Sequence, residues 1–422
     1  MKMKNYGLGL FFMLLLWSPA IAQLTIEAEV RPRFEYRHGF GTLFPDNADA
    51  SAFISQRTRL YSSFSKDYLK LYLSIQDIRV WGDVPQLNRA DRNGLGLFQA
   101  WGAVVFSPSV TLKLGRQALD LDDQRIFGSV AWAQQARSHD MALFTYHKND
   151  SKLLAGAAFN QDGESNLGNV LTTENTYKSL QFLWFHQDWS ALSASFLFLN
   201  NGLQFIDDLI PDNNETRFSQ TIGAHLKSNK QLFSWWTNVY YQFGKDVDDN
   251  DISAYLLALE ASYKSGPNWS LILGGELISG NDNGLPDNGE NKAFNPFYGT
   301  NHKFNGLMDY FFVGNHANNV GLLDVYLGSV IGLGEKASIY ARVHNFSAAA
   351  DLQNSDSKQL GVEADFVLNY NFKKDINIQA GYSHLFASDG MEVLKNNFDG
   401  NVNYWGWAMV TIKPTLFQTK TD

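Results

Sequence analysis

Eleven of the thirteen arginines in this chain fall between Arg31 and Arg137, and only Arg217 and Arg342 follow. Many come two apart: Arg31 and Arg33, Arg57 and Arg59, Asp77 and Arg79, with Glu27, Glu29 and Glu35 interleaved on the odd positions of the first group. Residues two apart share one face of a strand. Arginine stays ionised and presents a planar fork of donors that matches carboxylates. Two chemistries follow from such a wall. Each guanidinium can pair with a nearby carboxylate and brace the structure. Alternatively, part of the positive field stays free for an anionic solute, as rings of Arg or Lys do in anion pores. Both can hold on the same wall.

Other chemistry finds little support. The nine histidines include no pair four apart, so a helical zinc pair is absent. There is no Gly-x-Ser-x-Gly elbow. Ser138-His139-Asp140 has the residue types of a triad, but in a strand Ser138 and His139 point to opposite faces. Leu273-Gly274-Gly275 reads as strand, not as a phosphate cradle. Asn281 to Glu290 is rich in oxygen ligands, but its spacing departs from the twelve-residue calcium loop, and Asn, Asp and Gly dominate turns anyway. The absence of cysteine excludes disulfides and thiolate metal sites. We therefore expect no catalytic residue, no metal, no cofactor and no enzyme activity.

The arginines need a scaffold that tolerates charge on an inner face. From Leu24 to Arg37 the even positions are Leu, Ile, Ala, Val, Pro, Phe and Tyr, and the odd ones carry six charges. One face suits lipid and the other suits water, which is the pattern of a membrane barrel with a wet interior. A charge on the lipid face costs about 2–4 kcal/mol at mid-bilayer, so Arg31, Arg33, Arg57, Arg59, Arg217 and Arg342 are assigned to the lumen. Alternation recurs from 24–37 to 402–413 in about eighteen segments. Very short connections such as Ser107-Pro108, Asn149-Asp150 and Lys373-Lys374 alternate with mostly longer, polar ones such as 120–135, 162–175 and 281–318. Short periplasmic turns and long outer loops are the rule for outer-membrane barrels. The fold expected is all-β: a transmembrane antiparallel barrel of about eighteen strands over residues 23–422.

Outward faces follow by parity. Leu69, Leu71, Leu73 and Ile75 face lipid in one strand; Tyr255, Leu257, Leu259, Ala261 and Tyr263 in another. Val362, Ala364, Phe366, Leu368 and Tyr370 do so in a third, which sends Glu363, Asp365 and Asn369 inward. Trp189, Trp235, Trp236, Tyr240, Tyr241, Trp269 and Trp405 lie near strand ends and are expected at the membrane interfaces. Asp77, Arg79 and Arg116 break the phase of their strands: either a bulge intervenes, or they lie above the lipid at the outer mouth. The last strand, Tyr404 to Ile412, is expected to serve the insertion machinery. The loop 281–318 is aromatic in its second part and can either fold inward to narrow the pore or pack as a lid at the rim.

A secretory leader precedes all this. Lys2 and Lys4 begin it, Gly7 to Trp17 is its apolar stretch, and Ala20-Ile21-Ala22 fits a cleavage site, so residues 1–22 are read as a signal peptide. Its removal takes two lysines and no acid, leaving 32 basic against 43 acidic residues and a net charge of −11. Such acidity argues against nucleic acid as a partner.

Several motifs resemble the alginate export family of outer-membrane barrels. They are Arg31-Pro32-Arg33-Phe34-Glu35, Gln76-Asp77-Ile78-Arg79, Leu114-Gly115-Arg116-Gln117, Asp123-Gln124-Arg125, Trp132, Arg137-Ser138-His139-Asp140, and Asn295-Pro296-Phe297-Tyr298 through His302 to Asp309. The resemblance implies a monomeric eighteen-stranded barrel in the outer membrane of a Gram-negative bacterium, passing a uronate polymer through an electropositive constriction. By motif it marks Arg31, Arg33, Arg57, Arg59, Asp77, Arg79, Arg116, Arg125, Arg137 and Asp140 as lining the pore and contacting solute. The expected function is diffusion of anionic saccharides or similar anionic solutes. The alternatives are a general porin without preference, and a plugged structural or adhesive barrel.

Overall fold

The computed structural model describes residues 22–87, 94–207, 209–311, 319–353, 355 and 357–419. The expected leader falls outside these apart from Ala22, and so do Arg89, Arg92 and residues 312–318 of the longest loop.

Eighteen long strands form one antiparallel sheet. They are β1 (Gln23–His38), β2 (Ser51–Lys66), β3 (Leu69–Val80), β4 (Gly96–Ser107), β5 (Val110–Gln117) and β6 (His139–Lys148). Then come β7 (Ser151–Phe159), β8 (Ser179–Asp188), β9 (Ser193–Phe205), β10 (Glu215–Lys230), β11 (Phe233–Lys245) and β12 (Asp251–Lys264). The last six are β13 (Trp269–Ile278), β14 (Leu322–Leu333), β15 (Ala337–Ser347), β16 (Gln359–Lys373), β17 (Ile376–Ala387) and β18 (Asn403–Ile412). Each strand pairs with its neighbours in sequence, and β1 closes the ring on β18, with Arg33 opposite Met409 and Arg37 opposite Trp405. Beyond Pro414, Thr415–Gln418 continues along β1, so the seam stays paired past a proline that cannot donate. Closure leaves no unpaired strand edge in lipid.

The turns between β2 and β3, β4 and β5, β6 and β7 and onward by pairs hold only two to four residues. The opposite end carries the long loops, and the last of these contains the short helix α1 (Asp389–Lys395). The outward face is apolar as parity requires: Leu71 and Leu73 on β3, Tyr255, Leu257, Leu259 and Tyr263 on β12, and Phe366 and Leu368 on β16 are all exposed. Trp189, Trp269 and Tyr241 are exposed near the barrel ends, as expected of interface rings. Three of the rings assigned to the interface lie inside instead. Tyr240 and Trp405 are buried within the barrel, and Trp236 packs against the interior cluster. Each occupies an inward position of its strand, so parity outweighed proximity to the strand end.

Two outer loops fold into the barrel. The first, 118–138, links β5 to β6; the second, described over 279–311 and 319–321, links β13 to β14. They meet at a short bridge between Phe127 and Tyr298. There the Gly128 amide donates to the Tyr298 carbonyl (2.8 Å), and the Thr300 amide donates to the Gln124 carbonyl (2.9 Å). Gly128 is required at this crossing, since a Cβ would stand 2.7 Å from the Thr300 amide nitrogen. Phe127 is wholly buried and packs on Phe182 of β8, beside inward Leu180, Trp184, Leu197 and Leu199. The middle of the inner face of β8 and β9 is thus apolar, and the first loop covers it. Burying one such aromatic side chain stabilises by about 1.5–3 kcal/mol, which offsets the cost of ordering the loop.

Candidate functional site

The inward loops are held by two walls of opposite polarity. On β1 and β2 stand Arg31, Arg33, Arg57 and Arg59, all buried. The sequence requires this cluster, because strand pairing sets Arg31 opposite Arg57 and Glu29 opposite Arg59. Their donors grip the segment 131–135. Arg31 Nη1 donates to the Ala131 carbonyl (2.8 Å), and Arg31 Nη2 to the Trp132 carbonyl (3.0 Å) and to Gln134 Oε1 (2.9 Å). Arg33 Nη1 donates to the Trp132 carbonyl (2.7 Å), and Arg59 Nη2 to the Gln135 carbonyl (3.1 Å). Other donors meet carboxylates, Arg33 to Glu35 (2.9 Å) and Arg57 to Glu29 (2.6 Å), and Arg59 Nε donates to Gln76 Oε1 (2.7 Å). Gln134 answers with its amide, which donates to the Ser55 hydroxyl (3.0 Å). Charged donors make the stronger hydrogen bonds, and buried carbonyls must find partners. The arginine wall therefore holds a loop backbone in place.

Further round the barrel the polarity reverses. Inward positions of β13, β14 and β16 carry Glu276, Asp324, Glu363 and Asp365, all buried. These acceptors take the donors of the second loop. Glu363 Oε1 accepts from the Met308 amide (2.8 Å). Asn305 donates to Glu276 Oε2 (2.7 Å) and Asp324 Oδ2 (3.3 Å). Gly306, at φ +83°, lets the loop approach Glu363, where a Cβ would stand 2.5 Å from the carboxylate. His344 sits between Asp324 (2.9 Å) and Asp365 (3.7 Å).

Arg125 joins the two loops to the barrel. Its guanidinium is 2% exposed and forms a fork on Glu276, with Nε to Oε1 at 2.8 Å and Nη2 to Oε2 at 2.7 Å. Nη2 also donates to Asn305 Oδ1 (3.1 Å), and the group lies over the Phe304 ring. Arg137 donates to the Gly299 carbonyl (2.7 Å), and burial lowers its pKa from the ordinary arginine value. Both are loop-to-loop ties.

The other four residues singled out in the sequence lie elsewhere. Asp77 and Arg79 pair with each other at 2.6 Å. Strand pairing sets them opposite Thr58 and Gln56, without a register shift between β2 and β3, so they share the face opposite to Arg57 and Arg59. Arg79 still borders a cavity at the outer end. Arg116 and Asp140 pair across β5 and β6 at 3.2 Å, both exposed, while their neighbours Gln117 and His139 are buried inward. The assignment of Asp77, Arg116 and Asp140 to the lumen is thus corrected by parity: they lie on the outward side near the outer rim. Ser138, His139 and Asp140 do not converge. His139 meets the Tyr177 hydroxyl, and Ser138 accepts from Arg116.

The centre of the barrel is aromatic, and the arginine pattern did not reveal this. Trp132 stacks on His302 at 4.0 Å between centroids and meets Trp407 (4.7 Å) and Trp405 (5.9 Å) edge to face. The Arg33 guanidinium lies 4.1 Å over the same indole. The signal available was the inward parity of Trp405 and Trp407 on β18. Cavities flank this cluster, and Trp132 borders both. The outer one, about 420 Å³, is bounded by Arg33, Arg37, Phe40, Phe53, Arg79 and Asp309. The inner one, about 540 Å³, reaches Ser338, Asn369 and Gln379, near the short-turn end of their strands.

Fold and site together define an outer-membrane barrel of the porin type with loops folded into its lumen. Solved structures support that architecture. Acinetobacter baumannii OccAB4 is 12% identical, with a TM-score of 0.63 over 94% of this chain and 99% of that one. OccAB1 of the same organism is 12% identical, with a TM-score of 0.62 over 94% and 97%. Pseudomonas aeruginosa OccK5 (OpdH) is 13% identical, with a TM-score of 0.60 over 93% and 98%. A comparison with curated proteins finds no match. The chain belongs to the alginate export family, which it matches over residues 22–404. Its place is the outer membrane of a Gram-negative bacterium.

Proposed function

We propose that the barrel is a passive channel, not an enzyme, that admits anionic saccharides, uronate oligomers among them, and works as a monomer. The observation that carries this reading is the outer cavity. Arg37 stands at its rim with about a third of its side chain exposed (34%), bound through Nε (3.0 Å) and Nη2 (2.8 Å) to Glu35 and lying over the rings of Phe40 and Phe53. A partly exposed guanidinium beside aromatic faces suits a ring bearing a carboxylate, since its open side can draw the charge while Glu35 holds the group in place, and the rings take the apolar face. Charges at a pore mouth also raise the local concentration of the opposite ion.

A second reading draws on the same wall. Arg31, Arg33, Arg57 and Arg59 spend their donors on loop carbonyls and glutamates, which favours a brace within an unselective porin. Current through the purified barrel in a planar bilayer under a salt gradient separates the two. Anion-selective current that oligouronate interrupts supports the first. Unselective current without interruption supports the second, and a folded barrel that passes no current argues for a plugged one.

A further inference from the structure

We infer that the inner cavity is a separate binding subsite for an uncharged, hydroxyl-rich ring, a neutral saccharide unit reaching it from the periplasmic side. The inference rests on the barrel being a channel and deepens that reading. At about 540 Å³ the cavity falls within the roughly 300–1,000 Å³ of small-molecule sites. Its position is periplasmic: Ser338 is the second residue of β15 and Gln379 the fourth of β17, both just past short turns.

Its lining differs from the outer cavity in kind. Carboxylates outnumber cations: Asp123, Glu260, Glu276 and Asp324 against Lys303 and Arg342. Those charges are already engaged. Glu260 takes Arg342 (3.0 Å), the Trp236 indole N–H (3.1 Å) and the Tyr326 hydroxyl (2.9 Å). Glu276 takes Arg125, Asp324 takes His344, and Lys303 donates to the Asp123 carbonyl (2.6 Å). An added carboxylate would meet a surplus of like charge. What the lining offers a ligand is aromatic surface, with Trp236, Tyr340 and Trp407 foremost, and small neutral polar groups at Ser338, Asn369 and Gln379. An aromatic face packs against the C–H face of a sugar ring, while amide and hydroxyl groups exchange hydrogen bonds with its hydroxyls.

The absence of cysteine makes the test clean, because one introduced thiol reports its own site. Ser338→Cys, labelled by a membrane-impermeant methanethiosulfonate added to one chamber of a planar bilayer, fixes the orientation of the barrel. Maltohexaose is the neutral probe, and oligouronate the comparison. We expect maltohexaose on the periplasmic side to interrupt the current and slow labelling of the introduced thiol at least threefold, and to do less from the outer side. Trp236→Ala, with folding checked by sheet circular dichroism, should weaken that interruption about tenfold relative to its own open-channel current. Equal effects from both sides, or protection by oligouronate and none by maltohexaose, overturn the subsite. If oligouronate interrupts anion current while maltohexaose does nothing, the channel reading stands and the subsite falls. If the barrel passes no current, the channel reading falls, and protection of the same thiol in detergent still decides the subsite.

Discussion

Replacing Glu276 with leucine leaves the Arg125 guanidinium buried without its carboxylate. The fork bonds of 2.7 and 2.8 Å are lost, and Asn305 loses its 2.7 Å bond to Glu276 while keeping those with Asp324 (3.3 Å) and Arg125 (3.1 Å). Breaking a buried ion pair by removing one partner costs about 3–5 kcal/mol. At about 1.4 kcal/mol per tenfold, the docked-to-undocked ratio of the two loops falls by a factor of about 10²–10⁴. Arg125→Met leaves Glu276 stranded and should cost a similar amount. The double variant removes both charges, and an apolar pair of similar volume is often neutral. The cost falls on the loops, since the strand pairing of β13 with β12 and β14 is made by backbone groups. In a planar bilayer both single variants should flicker between conductance levels, and a protease should cut within 118–138 at least tenfold faster. The double variant should be quiet and resistant. Equal behaviour of all three variants, or a double variant worse than either single, would refute the argument that this ion pair pins the loops.

Trp132→Ala removes the indole that borders both cavities, so we expect open-channel conductance to rise at least twofold and Trp132→Phe to fall between; unchanged conductance would place the narrow point elsewhere. Changing Arg31, Arg33, Arg57 and Arg59 together to Gln should free the segment 131–135 and raise protease sensitivity there, whereas Arg37→Gln should lower anion selectivity with the loops intact; selectivity measured by reversal potential separates the two roles. Lys395 of α1 has its pKa pushed down to about 8 by burial, with its ammonium donating to the Tyr310 carbonyl (3.1 Å). The docked form therefore binds fewer protons than the undocked form between pH 8 and about 10.5, and docking of α1 should strengthen as pH rises through that window. The protection factor of the α1 amides, which is exchange corrected for its base-catalysed intrinsic rate, should rise over that window, and a protection factor that falls over the same range would contradict it.

Much of this protein was legible in its sequence because a membrane barrel obeys a strict local rule. Each strand must present apolar residues to lipid at every second position, and each turn must return the chain within a few residues, so strand number, outward faces and closure follow from period and spacing. The basic wall was legible for the same reason, since parity placed Arg31, Arg33, Arg57 and Arg59 on one inner face. Parity also explains the rings that lie inside, Trp236, Tyr240 and Trp405, where nearness to the strand ends had suggested the interface. One signal went unused. Leu180 to Phe185 on β8 is apolar on both faces apart from Gln181, which lipid alone does not explain; the inner half is covered by Phe127.

Only the tertiary structure decided what the charges do. Whether a guanidinium meets a solute or a peptide carbonyl depends on where a loop a hundred residues away comes to rest, as Arg31 and Ala131 show. That loop path has no period to read. It is set by left-handed residues such as Gln124, Val130 and Ala136, by the crossing at Gly128, and by acids on β13 to β16 that accept the second loop's donors. Strand alternation is local and repeats along the chain. The packing of loops inside the barrel joins residues distant in sequence, and its energy exists only once the ring has closed.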